Sequence, residues 1–393
     1  SGSNTFSGAT SINGGSLQIT GSGRLGSGGT YSGTISIASG SSLVYSSSAD
    51  QTLGGGISGA GTVTKDTSNS STLTLTASNT YSGATTINAG TFKVGGGGYL
   101  GSANYSAAIS IASGASFSYA STYTGQNLSG IISGAGSFIK EYAPGPLTVS
   151  GNNTYTGGTT ISAGILKVGH LNALGDPAGA VTVTAGGALD LWGKSLTNTN
   201  PLTLSGTGVS SGGALINSST TPASYAGSVT LAAASSIVGG NGTIALTNSG
   251  TISGAFDLNL GGTQGGSIDS VIGTGSGGLT KQGNGAWTLS ASNTYSGVTT
   301  ISGGTLAVTN NNGLGSTANG TVIESGATLE LRSVIVGNEA VSFGGSTTTA
   351  GGVLLASGGT SSLAGSLTIT TPFLTSPAIN VTGTQLTLSG VIS

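Results

Sequence analysis

One sixteen-residue phrase recurs along this chain, and a fixed internal period limits the fold more sharply than any single residue. It reads N-T-F-S-G-A-T-S-I-N-G-G-S-L-Q-I from Asn4 and N-T-Y-S-G-A-T-T-I-N-A-G-T-F-K-V from Asn79. It returns as N-T-Y-T-G-G-T-T-I-S-A-G-I-L-K-V from Asn153 and N-T-Y-S-G-V-T-T-I-S-G-G-T-L-A-V from Asn293. The starts lie 75, 74 and 140 residues apart. The last spacing is twice 70, and a degenerate copy, A-S-Y-A-G-S-V-T-L, does begin at Ala223. A weaker one, S-S-L-A-G-S-L-T-I, begins at Ser361. Other phrases keep the register. L-G-S/D occurs at Leu25, Leu100, Leu174 and Leu314, and I-S-G-A-G-x-x-x-K spans Ile57–Lys65 and Ile132–Lys140. With one residue inserted, the latter returns from Ile272 to Lys281. The repeat units are therefore 4–78, 79–152, 153–222, 223–292, 293–360 and a truncated 361–393, expected to form one continuous solenoid over 1–393.

Within each phrase, runs such as Leu73-Thr74-Leu75-Thr76 and Val181-Thr182-Val183-Thr184 alternate apolar and polar residues, as half-buried strands do. Corners such as Ala89-Gly90 and Gly303-Gly304 separate them. No helical stripe interrupts. Short strands at even spacing predict an all-β chain: a right-handed parallel β-helix (β-solenoid), about three coils per repeat of roughly 70–75 residues. Coils about 4.8 Å apart would give a rod on the order of 80 Å long. Ile87, Ile161 and Ile301 hold one place in three copies and are expected to face inward.

Composition narrows the function. Charged residues make up 5% of the 393, with 8 Lys plus Arg against 10 Asp plus Glu. No basic patch exists to neutralise phosphates, so no nucleic acid is expected as a partner. There are 76 Gly but 7 Pro, which excludes a collagen-like period. Cysteine is absent, which removes disulfides and thiolate metal sites. Methionine is absent too, and no apolar run is long enough to span a bilayer. Any targeting segment or membrane anchor is expected outside this sequence.

The N-T-Y-S-G-x-T-T-I-x-x-G-x-L-x-V phrase resembles the autotransporter-associated β-strand repeat of bacterial autotransporter passenger domains (passenger-associated transport repeats). The likeness is nearly complete at 79–94, 153–168 and 293–308, good at 4–19, and weak at 223–238 and 361–376. It implies an exported parallel β-helix at the cell surface. The family carries no catalytic residues to transfer, and no counterpart of its C-terminal membrane barrel stands in these residues.

Candidate chemistry is sparse. Glu324, Glu330 and Arg332 lie at even spacing, which places them on one strand face if the strand is regular. They read as a solvated ion-pair patch rather than the acid pair of a polysaccharide-cleaving β-helix. His170, the only histidine, falls in a turn between Val168 and Leu174 and reads as a loop residue. Lys65, Lys140 and Lys281 end one phrase; Lys93 and Lys167 share another. They read as edge or surface charge rather than an aligned basic stripe for anionic glycans. Tyr81, Tyr155 and Tyr295 read as corner packing rather than sugar-stacking platforms. Trp192 and Trp287 follow no pattern.

No catalytic, metal or cofactor site is therefore assigned, and no cofactor is expected. The expected function is that of a non-enzymatic extracellular rod: stalk, fibre or filament subunit, or adhesin scaffold in cell adhesion or biofilm matrix. The alternative is a glycan-binding or polysaccharide-cleaving β-helix. Surface glycans and neighbouring cells are the expected partners. The sequence opens and closes inside the periodic pattern, so end-to-end self-association or continuation in a longer solenoid is also expected.

Overall fold

A computed structural model describes residues 2, 4–142, 145–344, 351–369 and 377–393. Part of the weak copy at 361–376 thus lies outside the described residues. The chain forms two compact units, Ser1–Leu189 and Asp190–Ser393. Each is a parallel β-solenoid. Among the described residues there is no α-helix, only the short 3-10 turns Ser27–Gly29, Gly101–Ala103 and Val209–Ser211.

In the first unit, three strands make up each coil. Thr10–Ile12, Ser16–Gly21 and Thr30–Tyr31 are followed by Ile35–Ile37, Ser42–Ser47 and Gln51–Leu53, which stack on them in the same order. Partners are 19 to 26 residues apart, as Leu147↔Leu166 and Gln18↔Val44 show, close to the coil length the repeat implies. The second unit repeats the arrangement. Leu258–Gly261 carries Leu279–Lys281, and Gly265–Ile268 carries Ala286–Leu289.

Parallel in-register stacking sets like side chains upon like. Phe92, Phe117 and Phe138 stack on consecutive coils, with ring centroids 6.0 and 5.7 Å apart. Inward positions form a buried core, and Ile87, Ile161 and Ile301 are all fully buried in it. The intervening threonines face outward, partly exposed. Because strands within a stack pair on both sides, the stack satisfies its own backbone except at its end strands and corners, and the corners are where the repeated polar residues collect.

Candidate functional site

Two phrases that sit far apart in each repeat meet in the structure. The I-S-G-A-G phrase closing one repeat lies against the N-T-Y-S-G phrase opening the next. Ile57, Ile132 and Ile272 donate their N–H groups to Oδ1 of Asn79, Asn153 and Asn293 at 3.1, 2.8 and 2.8 Å. The same asparagines donate through Nδ2 to Tyr99, Ala173 and Gly313 carbonyls on the coil beyond, at 3.3, 2.8 and 2.7 Å. Each buried Asn thus brackets the coils on either side of its own. Main-chain bonds run alongside: Thr80, Thr154 and Thr294 donate to the Ile57, Ile132 and Ile272 carbonyls at 2.7, 2.9 and 3.0 Å. The glycine of the opening phrase is set by close approach. A Cβ at Gly83, Gly157 or Gly297 would lie 2.1, 2.4 or 2.5 Å from backbone of the preceding coil.

The recurrent tyrosines belong to the same joint. Tyr81, Tyr155 and Tyr295 are buried, and their hydroxyls bond to those of Thr85, Thr159 and Thr299 at 2.7, 2.5 and 2.6 Å. They pack at a corner and present no ring to solvent. Burial pushes the phenols of Tyr155 and Tyr295 well up from their ordinary value.

The lysines overturn their sequence reading. Lys65, Lys140 and Lys281 are neither edge charges nor a surface stripe: all three are fully buried. Each follows the inward parity of its strand, as the third residue of Val63-Thr64-Lys65, Phe138-Ile139-Lys140 and Leu279-Thr280-Lys281. In register, Lys65 lies between Tyr45 and Ile87, Lys140 between Tyr119 and Ile161, and Lys281 between Leu260 and Ile301. The aliphatic stems fill core, and the ammonium heads turn to corner carbonyls. Lys65 Nζ donates to Thr67 O at 2.8 Å, and Lys140 Nζ to Tyr142 O. Lys281 Nζ donates to Gln282, Gly283 and Gly303 carbonyls at 3.0, 2.8 and 2.7 Å. The Tyr45 and Tyr119 rings lie 5.9 and 5.8 Å from Lys65 and Lys140 Nζ. Burial lowers all three pKa values, to about 8 for Lys140 and Lys281. Lys93 and Lys167 are partly exposed, and Lys93 pairs with Glu141 at 2.7 Å.

The remaining candidates do not converge. Glu324 stands at the corner after Thr321–Ile323, whereas Glu330 and Arg332 belong to the next strand, Thr328–Arg332. The corner at Ser325-Gly326, with Gly326 at φ 75°, breaks the single strand face expected of the three. Glu330 pairs with Arg332 at 2.7 Å and accepts a bond from Ser357 Oγ at 2.6 Å. The Arg332 hydrogen bond holds its carboxyl below the usual range. His170 lies in its turn, accepting the Asn172 N–H at Nδ1. Trp287 is buried and bonds to Gly261 O at 3.0 Å, while Trp192 is exposed. Sequence reasoning missed Glu339, a buried carboxyl that accepts from Thr321 Oγ1 at 2.7 Å and whose pKa burial raises. No pattern in its repeat announced it. Two open depressions, of about 240 and 310 Å³, lie beside Ser102 and Asp257. Among the described residues no three His, Asp or Glu side chains gather as a metal site.

Comparison with known proteins adds the family. The passenger-associated transport repeat matches at 1–19, 68–94, 144–168 and 279–308. At these four segments the chain carries passenger-associated transport repeats. The last three matched segments each contain a bracketing Asn, a buried Tyr and a close-approach Gly, so this passenger repeat coincides with the joint. The adhesin BmaC autotransporter of Brucella suis biovar 1 (strain 1330) is 31% identical to this chain over 423 residues. That alignment covers 89% of this chain and 12% of the Brucella protein, so the chain spans about an eighth of the length of the curated relative it matches. No solved structure matches it.

Proposed function

We propose that this chain is a non-catalytic adhesive scaffold, part of a passenger displayed on or released from the bacterial cell surface. The observation that carries the reading is where the repeated polar residues go. The Asn of the repeats bonds to the coils on either side, the Tyr to a Thr of its own phrase and the Lys to corner carbonyls, while Glu330 bonds to Arg332 and Ser357. Repetition therefore serves the coil stack, and what it offers outward is a regular, nearly uncharged surface of Thr, Ser and Asn. Such a surface suits broad contact with glycans or neighbouring cells better than a single deep ligand site. The Brucella relative, named an adhesin, supports the same reading. A stalk, fibre or biofilm role is a finer version of it.

The test is adhesion of beads coated with the purified chain to bacterial and epithelial cells, against albumin-coated beads. The coated beads are expected to adhere, and to keep adhering when Glu324, Glu330, Arg332 and His170 are replaced together. Adhesion no better than albumin would defeat the adhesive reading. Release of unsaturated or reducing sugars from a polysaccharide, lost in the fourfold variant, would establish an enzyme instead.

A further inference from the structure

The three-strand coil gives every strand one of three places, and equivalent strands of successive repeats need not share a place. In Ser1–Leu189, the first repeat's Thr10–Ile12 carries Ile35–Ile37 and then Ile57–Gly59. The second repeat's equivalent strand, Thr85–Ile87, does not continue that stack. It lies on Thr62–Lys65, which lies on Ser42–Ser47 and Ser16–Gly21, the second place. The third repeat's Thr159–Ile161 lies on Ser137–Lys140. That stack runs back through Ser116–Ser121, Thr91–Gly96, Thr72–Leu75 and Gln51–Leu53, the third place.

Asp190–Ser393, taken by itself, behaves likewise. Residues 229–231 lie on 202–204, but Thr299–Ile301 lies on the neighbouring stack of Leu279–Lys281, Leu258–Gly261 and residues 235–238. The fifth repeat breaks the rule. Thr299–Ile301, Thr321–Ile323, Val341–Phe343 and the sixth repeat's Leu367–Ile369 form one stack, so the phrase returns to its own place. The first and second repeats contain I-S-G-A-G-x-x-x-K and the fourth its one-residue-longer variant I-G-T-G-S-G-G-L-T-K, whereas the third and fifth repeats contain neither.

We propose that the I-S-G-A-G-x(3–4)-K phrase is a phase-advancing element, adding one strand place to its repeat and so turning the next repeat by one sheet around the coil. The mechanism is visible at the joint. Ile57–Gly59 and Thr62–Lys65 occupy two adjacent places across the two-residue corner Ala60-Gly61. The next phrase copies this outline. Residues 80–82 bond over Ile57–Gly59, Gly83 sits on Gly61, and Thr85–Ile87 lands on Val63-Thr64-Lys65. The Asn bracket holds the first of these places and the buried lysine stands under the second. The consequence reaches the surface, because the outward residues of one sequence position, Ser11, Thr86 and Thr160, stand on three different sheets. Repeats with the phrase spread identical surface features around the coil; a repeat without it aligns them. This holds whatever the partner, and it sets the directions from which the partner is met.

The absence of native cysteine allows a direct test in the full chain. In the otherwise native sequence, Val44→Cys with Thr64→Cys is expected to form a disulfide on mild oxidation, and Ser36→Cys with Thr64→Cys is not. Deleting residues 56–61, Gly-Ile-Ser-Gly-Ala-Gly, removes one strand place and is expected to exchange the two results. The converse variant inserts the same six residues between Ala340 and Val341. There the Val322→Cys/Ser342→Cys crosslink is expected to vanish and a Glu330→Cys/Ser342→Cys crosslink to appear. Circular dichroism establishes that each variant keeps its strands. Unchanged crosslinks in either folded variant overturn the proposal. So does loss of folding in both, since an element that sets phase must be removable or transplantable with its place.

Discussion

Replacing Lys281 by Met keeps the length of the stem between Leu260 and Ile301 and removes the buried ammonium with its three carbonyl bonds. The pH dependence of stability isolates that charge. Burial lowers the Lys281 pKa to about 8, from 10.5 in the exposed group. Below pH 8 the lysine is protonated in folded and unfolded chains alike, and its burial is a constant cost. Between 8 and 10.5 the unfolded chain keeps a proton that the folded chain has released, so stability rises with pH over this window. The full gap corresponds to roughly 3 kcal/mol, and with three carbonyls already facing the ammonium a gain of about 1–3 kcal/mol is expected. Tyrosines oppose it near the upper end. Tyr225 and Tyr295 have raised pKa values, so unfolded phenols ionise first and stability falls above about pH 10. That contribution is common to both proteins and cancels in the difference between them. The assay is denaturant unfolding followed through the fluorescence of buried Trp287, from pH 7 to 10, in the native sequence and in Lys281→Met. The native protein is expected to gain stability on the variant across pH 8–10. A difference flat to within about 0.5 kcal/mol, the scatter of ordinary surface substitutions, would mean that no charge is buried there and would refute the reasoning.

The other predictions rest on burial and bonding at single residues. Ile161→Ala, at a fully buried place, is expected to lower unfolding free energy by about 2–5 kcal/mol, measured by urea titration. Asn153→Ala strands the Ile132 N–H and leaves the Ala173 carbonyl with only the long Tyr155 hydroxyl bond of 3.5 Å, with an expected loss of about 1–3 kcal/mol by the same titration. Glu339→Gln is expected to be more stabilising at pH 7 than at pH 4. The native carboxyl has a raised pKa, so its favourable protonated state is lost as pH climbs, and thermal midpoints at the two values check this. Glu330→Gln removes a partly exposed pair with Arg332, and a change under about 1 kcal/mol is expected in urea.

Periodicity made the fold readable. Alternation in Leu73-Thr74-Leu75 and the recurrence of Ile87, Ile161 and Ile301 name the inward face, and parallel stacking follows once identical runs must bury that face together. The coil length was legible for the same reason. Three features were not. The even spacing of Glu324, Glu330 and Arg332 assumed a continuous strand, and the corner at Ser325-Gly326 removes that assumption. Which strand of one coil meets which strand of the next is a long-range choice, so the place advance cannot be seen in a period of 75, 74 or 70 residues. The third is the lysines, where residue type was allowed to outweigh parity. Val63-Thr64-Lys65 has the same in-out-in order as Val181-Thr182-Val183, and that order was the available signal.

Why that inward place holds lysine follows from the geometry of the advance. In the fifth repeat, which stacks without advancing, the equivalent strand Val341-Ser342-Phe343 ends on a phenylalanine, also fully buried. An apolar side chain is sufficient there. Where a repeat advances, the chain leaves its strand through a corner whose carbonyls, at Thr67, Tyr142, Gln282 and Gly283, turn toward the lysine head. These corner residues are exposed on their outer side, and a carbonyl turned inward without a donor costs at most about 1–3 kcal/mol. An apolar residue fills the layer and leaves that cost standing, whereas a short polar residue meets the carbonyl and leaves a void between neighbours such as Tyr45 and Ile87. Lysine does both, with four methylenes in the layer and three donors beyond it. Its desolvation penalty is the reason its pKa falls. The place can therefore tolerate a buried cation because the head ends at a corner, close to solvent, rather than at the centre of the coil.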